Sequence, residues 1–235
     1  SRQSCERTDY GYCLVTGSTS ILIDRNVDFS RLYAIVDVDL ADGYGWSPTD
    51  LGEAIIKGGG RLLQIRAKRS SSESFLACAD SLVDLARPSN TSIIVNDRVD
   101  VAKISGASGV HVGQDDLSVA RIRRILGNDA VVGLSTHCRS QVDLAVQESV
   151  SYIAVGPVFA TRSKETGYQP VGLELVRYAA TQWPQSIIVG IGGITLDRAS
   201  SVIEAGANAV AVISDLLTDG DPERRTRAYL ERLYQ

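Results

Sequence analysis

The chain has 235 residues, of which 44% are hydrophobic and 22% charged, a balance typical of a folded globular protein. Its length fits a single large domain, since α/β domains commonly run to about 250 residues without splitting. The net charge of −4 excludes a broadly basic surface, so we expect neither nucleic acid nor a membrane as partner. Four scattered cysteines indicate neither a zinc site nor a disulfide framework, and we expect a reducing cytoplasm.

Residues 1–30 follow no repeated pattern, and we interpret them as an N-terminal extension. From residue 31 to residue 235, short apolar runs alternate with longer helical patterns, as in repeated βα units. The runs predict strands at 32–37, 62–66, 92–96, 109–112, 131–135, 152–158, 187–191 and 209–214. Their Ile, Val and Leu content is typical of parallel strands buried on both faces. Eight units predict a (β/α)₈ TIM barrel in one domain, with a doubly wound open sheet as the alternative.

Capping residues mark helix starts between the predicted strands. The predicted N-caps are Ser47, Ser70, Thr195 and Asp221. Glycines at 58–60, Gly106 and Gly206 fall where helices should end, a position that favours positive φ.

Polar residues at the carboxyl ends of barrel strands are the first candidates for an active site. Gln64, Arg66 and Lys68 alternate at the end of the second predicted strand, which places them on one face. Two cations on one face favour an anion, and Lys164 after the sixth strand would add a third. Three positive charges suit a pyrophosphate, whereas pairing with surface acids is the structural alternative.

Two carboxylates follow neighbouring strands and form a candidate metal site. Asp97 ends the third predicted strand and Asp116 follows the fourth, so their side chains would lie within reach of one ion. Mg²⁺ prefers one or two carboxylates together with phosphate and water oxygens. The structural alternatives are an N-cap role for Asp97 and a turn role for Asp116.

A second anion site is predicted after the last two strands. Gly192, Gly193 and Ser214 match the usual phosphate site of such barrels, although a Gly-Gly turn also serves plain turn geometry. His137, after the fifth strand, is a candidate acid or base, but a lone histidine is more often a packing or hydrogen-bonding residue.

Seven motifs in one order resemble the thiamine phosphate synthase and thiazole tautomerase family. They are QIRAK at 64–68, VNDR at 95–98, GVHVGQDDL at 109–117, GLSTH at 133–137, GPVFATRSK at 156–164, GIGGI at 190–194 and AVAVIS at 209–214. The resemblance runs from about residue 31 to the end of the chain.

The resemblance implies a (β/α)₈ fold, a Mg²⁺ cofactor and small-molecule substrates. The implied transferase condenses 4-amino-2-methyl-5-hydroxymethylpyrimidine pyrophosphate with 4-methyl-5-hydroxyethylthiazole phosphate, giving thiamine phosphate and pyrophosphate through a dissociated pyrimidine cation. It assigns the pyrimidine pyrophosphate to Gln64, Arg66, Lys68, Asn96, Ser135 and Lys164, with Arg66, Lys68, Ser135 and Lys164 as the catalytic residues. It assigns magnesium to Asp97 and Asp116, and the thiazole phosphate to Thr161, Ser163, Gly193, Ile213 and Ser214.

Two other functions are compatible with the same residues. A thiazole tautomerase of the same family would use His137 as acid and base, but its members tend to lack the paired aspartates. A barrel that binds thiamine precursors without catalysis is the alternative from another class, although metal ligands would serve it little. The sequence is also compatible with a homo-oligomer.

Overall fold

The structure is a computed structural model that describes residues 29–161 and 168–235, and in it eight parallel strands close into a barrel. Neighbouring strands follow chain order, and the last strand pairs again with the first. The strands are β1 Leu32–Asp37, β2 Leu62–Arg66, β3 Ser92–Asn96, β4 Gly109–Val112, β5 Val131–Thr136, β6 Tyr152–Val155, β7 Ile188–Ile191 and β8 Ala209–Val212. The predicted (β/α)₈ barrel is therefore confirmed, and the open sheet is excluded.

Helices follow the strands and cover the outside of the barrel. Within the described residues they are α1 Val38–Gly43, α2 Pro48–Lys57, α3 Ser72–Ala86, α4 Val99–Ser105, α5 Val119–Leu126, α6 Arg139–Ala145, α7 Gly172–Gln182, α8 Leu196–Glu204 and α9 Pro222–Tyr234. Short 3₁₀ helices lie at Arg87–Ser89 and Ser214–Leu217. None of these helices has the length and apolar content needed to cross a membrane.

Alternation along each strand separates two hydrophobic clusters. On β1, Leu32, Ala34 and Val36 face outward and pack among the helices, whereas Tyr33 and Ile35 face the barrel interior. The interior cluster continues with Leu62, Ile94, Val131, Tyr152, Ala154, Val189, Ala209 and Ala211. The inward position at the carboxyl end of each strand therefore faces one mouth of the barrel.

Two strands end more than one residue before their predicted ends, while the bounds of β5 and β7 differ from the prediction by a single residue. β6 stops at Val155 because Gly156 and Pro157 follow, and proline has no amide hydrogen to donate to a neighbouring strand. β8 stops at Val212 because the chain turns at Ile213 into the 3₁₀ helix Ser214–Leu217. Ser214 thus lies on a helical turn and not at the end of a strand.

Two of the predicted N-caps make the expected hydrogen bond. The Ser47 hydroxyl accepts from the Asp50 amide at 3.0 Å, and the Asp221 carboxylate accepts from the Arg224 amide at 2.9 Å. Thr195 occupies the N-cap position of α8, but its hydroxyl makes no capping hydrogen bond.

The predicted cap at Ser70 is wrong by one residue. Ser71 caps α3, with its hydroxyl accepting from the Ser74 amide at 3.1 Å. Residues 70–72 are three consecutive serines, and each of them could cap a helix, so the sequence does not specify which one occupies the N-cap position.

The predicted N-terminal extension, residues 1–30, lies outside the described residues except for its last two. Phe29 packs against the interior cluster, with its ring centroid 5.2 Å from that of Tyr152. The predicted division between extension and barrel at residue 30 stays a prediction.

Candidate active site

The catalytic mouth carries a group of five charged side chains that we call the strand-end cluster: Asp37, Arg66, Lys68, Asp97 and Asp116. Asp37 and Arg66 are paired in register at the ends of β1 and β2, and their side chains form an ion pair. The pair is largely buried, with 13% of the arginine side chain and 4% of the aspartate side chain exposed. The buried Nε of Arg66 has no hydrogen-bond partner in the described structure. Sequence reasoning did not propose Asp37.

Lys68 forms the second ion pair of the cluster, with Asp97. The two cations of the QIRAK motif are therefore matched by acids, as the structural alternative held, but the acids come from neighbouring strand ends. Asp97 lies beside Asp116, and burial together with the Asp116 carboxylate raises the pKa of Asp97, while Lys68 lowers it. Asp116 is exposed and accepts a hydrogen bond from the Gly113 amide at 2.8 Å.

The backbone at Asp97 adopts a conformation that is rare outside glycine. Its φ is +61°, and the Arg98 amide donates to the Asn96 carbonyl at 2.7 Å, so the three residues form a γ-turn. Helix α4 begins at Val99 with Arg98 in the N-cap position, so Asp97 is not its N-cap. Strained backbone of this kind concentrates at functional sites, where it aims a side chain.

The cluster has the chemistry of a magnesium site that is completed by a substrate. In the described residues no group of three or more His, Cys, Asp or Glu side chains is arranged to hold a metal alone. Two adjacent carboxylates fit Mg²⁺, which takes its remaining ligands from phosphate and water. Within the strand-end cluster three carboxylates outnumber two cations, so a pyrophosphate would need further positive charge to bind there.

A buried chain of hydrogen bonds crosses the barrel interior and ends at two of the predicted site residues. Nε2 of Gln64 donates to the Tyr33 hydroxyl at 2.8 Å, and that hydroxyl lies 2.8 Å from the hydroxyl of Tyr152. The Tyr152 hydroxyl lies 2.8 Å from Nδ1 of His111, whose Nε2 lies 2.8 Å from Oγ of Ser135. Sequence reasoning missed the three middle residues, although all three occupy inward positions on their strands.

Burial keeps the two tyrosine hydroxyls of the buried hydrogen-bond chain protonated, and close packing holds that chain in place. Burial raises the pKa of both Tyr33 and Tyr152, so both hydroxyls stay protonated. Gly133 makes the room, because a Cβ there would overlap the Tyr152 ring and lie 2.6 Å from Nδ1 of His111. The packing of Tyr152 and His111 therefore requires glycine at this position of the GLSTH motif.

The buried chain of hydrogen bonds leaves an acceptor at one end and a donor at the other. Among the described groups, the Tyr33 hydroxyl contacts only Gln64 and Tyr152. It must therefore accept a hydrogen bond from one of them and donate to the other, and this sets the direction of every hydrogen bond along the buried chain. With Gln64 donating, the hydrogens run toward Ser135, whose hydroxyl then donates at the mouth. The buried Oε1 of Gln64 has no described partner and remains as an acceptor. Rotating the Gln64 amide by half a turn would reverse both ends.

A cavity of about 510 Å³ opens beside the Ser135 end of the buried hydrogen-bond chain, on the β5 to β8 side of the mouth. It brings together five of the predicted site residues: Ser135, Thr161, Gly193, Ile213 and Ser214. Ser135 belongs to both regions, because it also ends the buried chain. Asn96 is buried at the inward end of β3, while Ser163 and Lys164 lie outside the described residues.

The glycine turn after β7 has an anion-binding backbone. Gly193 has a φ of +62°, and a Cβ there would lie 2.5 Å from the Ala160 carbonyl oxygen, so only glycine fits. Within the described chain, the amides of Gly193 and Ile194 donate to no protein acceptor. The first amide of α8, at Leu196, donates instead to the Asp215 carboxylate at 3.1 Å. The loop amides are therefore available to an anion, whereas the first amide of α8 is not.

His137 lines the same cavity but is already engaged by protein groups. Its Nδ1 lies 2.6 Å from the Gly156 carbonyl oxygen, so that nitrogen carries a hydrogen and donates it. Its ring stacks on Tyr168 with centroids 3.7 Å apart. These contacts orient the ring, and they leave its role in catalysis a prediction.

A parallel barrel with a carboxylate and cation cluster next to a phosphate-type cavity at one mouth defines an enzyme of small anionic substrates. The family model described as thiamine monophosphate synthase matches residues 32–216, and the chain belongs to this family.

Individual relatives cover almost the same part of the chain. A thiamine-phosphate synthase of Koribacter versatilis is 43% identical over 209 residues, which span 87% of this chain and 96% of the relative. One of Thermus thermophilus is 39% identical over 207 residues, spanning 87% and 97%. The solved thiamine phosphate pyrophosphorylase of Pyrococcus furiosus superposes with a TM-score of 0.78 at 25% identity, covering 87% of this chain and 95% of that one.

Proposed function

We propose that the protein is a thiamine-phosphate synthase, a transferase that joins the pyrimidine pyrophosphate to the thiazole phosphate and releases pyrophosphate. The observation that carries the proposal is the adjacency of two candidate substrate regions that share Ser135. One is the strand-end cluster with the buried chain, and the other is the cavity beside the Gly193 turn. The names and coverage of the relatives support the same activity.

The pyrimidine pyrophosphate fits the β1 to β4 side of the mouth. The free Oε1 of Gln64 and the Ser135 hydroxyl offer an acceptor and a donor, which suit the amino group and a ring nitrogen of an aminopyrimidine. Arg66 and Lys68 face the pyrophosphate. Asp97 and Asp116 would hold Mg²⁺, which supplies positive charge to the phosphate oxygens when bound.

The reaction requires charge stabilisation more than proton transfer. The bond between the pyrimidine methylene carbon and the pyrophosphate oxygen breaks first, and its electron pair leaves with pyrophosphate. The thiazole nitrogen then donates its lone pair to the carbon to form the new C–N bond. Arg66 and Lys68 act on the departing group, whose negative charge grows as the bond breaks, so they stabilise the transition state more than the ground state.

The thiazole phosphate fits the cavity on the β5 to β8 side. Apolar side chains of Pro157, Ile191 and Ile213 line it, as a thiazole ring needs, and the Gly193 turn lies at the phosphate end. Thr161, Ser163 and Ser214 would add hydroxyl groups. We also propose that Lys164 acts on the departing pyrophosphate.

The activity is tested by mixing the protein with both substrates and Mg²⁺ and following thiamine phosphate by mass. We expect a product that depends on each substrate and on the metal. Binding of either substrate without pyrophosphate release would favour the non-catalytic barrel, and no product with any divalent metal would contradict the proposal. The cytoplasmic location and a homo-oligomeric state stay predictions, which fractionation and light scattering would check.

His137→Ala separates the synthase from the tautomerase. We expect the variant to keep at least about a tenth of the synthase activity, because the dissociative route needs no strong base, whereas a tautomerase would lose about 100-fold or more. Both reactions are measured on the one variant. Loss of thiamine phosphate formation in a folded His137→Ala protein would contradict the proposed role of this residue.

A further inference from the structure

Arg198 is a cavity-lining cation that the family motifs do not include. It lies in the first turn of α8, five residues after Gly193, and its exposed side chain reaches back to line the cavity. Among the described residues that line the cavity, the acidic and basic side chains other than His137 are Arg198 and Asp215. Arg198 therefore supplies a cation to the cavity wall beside the Gly193 turn.

Two contacts hold the Arg198 guanidinium in position at the edge of the glycine turn. One of its terminal nitrogens donates to the Gly193 carbonyl oxygen at 3.2 Å, and the guanidinium carbon lies 5.0 Å from the centroid of the Phe159 ring. Phe159 itself packs against the turn, since a Cβ on Gly193 would lie 2.9 Å from the Phe159 Cβ. An arginine guanidinium carries five N–H donors, and among residues 29–161 and 168–235 Arg198 uses one of them.

The acid in the cavity wall does not neutralise Arg198. Oδ2 of Asp215 accepts from Arg225 at 2.9 Å, from the Tyr229 hydroxyl at 2.5 Å and from the Leu196 amide at 3.1 Å. Within the described chain Arg198 makes no ion pair, in contrast to Arg225, which also contacts Asp219. The uncompensated positive charge of the cavity wall thus lies next to the available amides of Gly193 and Ile194.

We propose that Arg198 binds the phosphate of the thiazole substrate and makes the enzyme select the phosphorylated thiazole over its free alcohol. The guanidinium fork matches phosphate oxygens with two parallel N–H donors, while the loop amides contact the same anion from the turn. The Phe159 contact holds the side chain in advance and lowers the entropy cost of binding. The inference deepens the proposed function and rests on it.

The test compares Arg198→Gln and Arg198→Lys with a matched control, Arg177→Gln. Arg177 is an exposed arginine on α7 that pairs with Glu174 and does not line the cavity. We expect Arg198→Gln to raise the KM for thiazole phosphate by about tenfold or more, the scale of a lost charge-assisted hydrogen bond. The KM for the pyrimidine pyrophosphate and the kcat at saturation should stay within about twofold of the parent.

Selectivity gives a second measurement on the same variants. The preference for thiazole phosphate over hydroxyethylthiazole, expressed as a ratio of kcat/KM, should fall about tenfold in Arg198→Gln and less in Arg198→Lys. Arg177→Gln should leave both the KM and the preference unchanged. A purely structural role for Arg198 would lower the activity with both thiazoles alike and would overturn the inference.

Equilibrium binding separates this inference from the proposed function. Calorimetric titration with thiazole phosphate measures its affinity without turnover, and Arg198→Gln should weaken it by about tenfold. A parent protein that makes no thiamine phosphate would contradict the function, whatever the titration gives. A parent that makes it, with an Arg198→Gln variant of unchanged affinity, would overturn the role of Arg198 alone.

Discussion

Asp97→Asn and Asp116→Asn are each expected to lower kcat by about 100-fold or more and to raise the Mg²⁺ concentration needed for half-maximal activity. The two carboxylates lie side by side in the loops that follow β3 and β4, and each substitution removes one negative charge from the proposed metal site. Asparagine tolerates the left-handed backbone at position 97, so the γ-turn should survive the change. Magnesium titrations of steady-state activity measure both effects.

A nearby carboxylate provides the control for this experiment. Asp100 lies in the first turn of α4 and forms an exposed ion pair with Arg98. Asp100→Asn should leave the magnesium dependence unchanged. Since Asp97 also pairs with Lys68, the Asp116 variant is the cleaner of the two. An Asp116→Asn variant with the metal titration curve of the parent would refute the magnesium assignment.

Strand alternation is the reason that much of the mouth could be predicted. Parallel strands point every second residue into the barrel, so residues such as Gln64 and Ser135 had to reach the interior once their strands were placed. The same alternation places Asp37 at the mouth, so this residue could also have been predicted. It ends the first predicted strand as Arg66 ends the second, and the register of the two strands pairs them.

The buried chain could not be predicted in the same way. Tyr33 and Tyr152 are 119 residues apart, and alternation places both inside the barrel without giving their height along its axis. Height follows from the stagger of all eight strands, which short sequence patterns do not encode. The end of β6 is a different case, because Pro157 has no amide hydrogen to continue the pairing, although the residues beyond it remain apolar.

The Asp37–Arg66 pair carries the other large expected effect, on stability as well as catalysis. Arg66→Met should lower the free energy of unfolding by about 3–5 kcal/mol, because it leaves a buried carboxylate without its counter-ion. The Leu40 amide, 3.1 Å from Oδ1, is then the only described donor to Asp37. Activity should fall by about 100-fold or more, since Arg66 is also the residue proposed to stabilise the leaving pyrophosphate. Urea unfolding and steady-state kinetics measure the two losses separately.

The double variant Asp37→Asn/Arg66→Met distinguishes the structural role of Arg66 from its catalytic role. Removing the carboxylate removes the uncompensated charge, so most of the lost stability should return, while activity should stay low because the guanidinium proposed to act on the pyrophosphate is missing. Asp37→Asn alone completes the cycle and should keep more activity than either variant that lacks Arg66. If the double variant regained activity together with stability, Arg66 would serve only to neutralise Asp37, and the charge on the departing pyrophosphate would have to be stabilised by the remaining cations of the mouth.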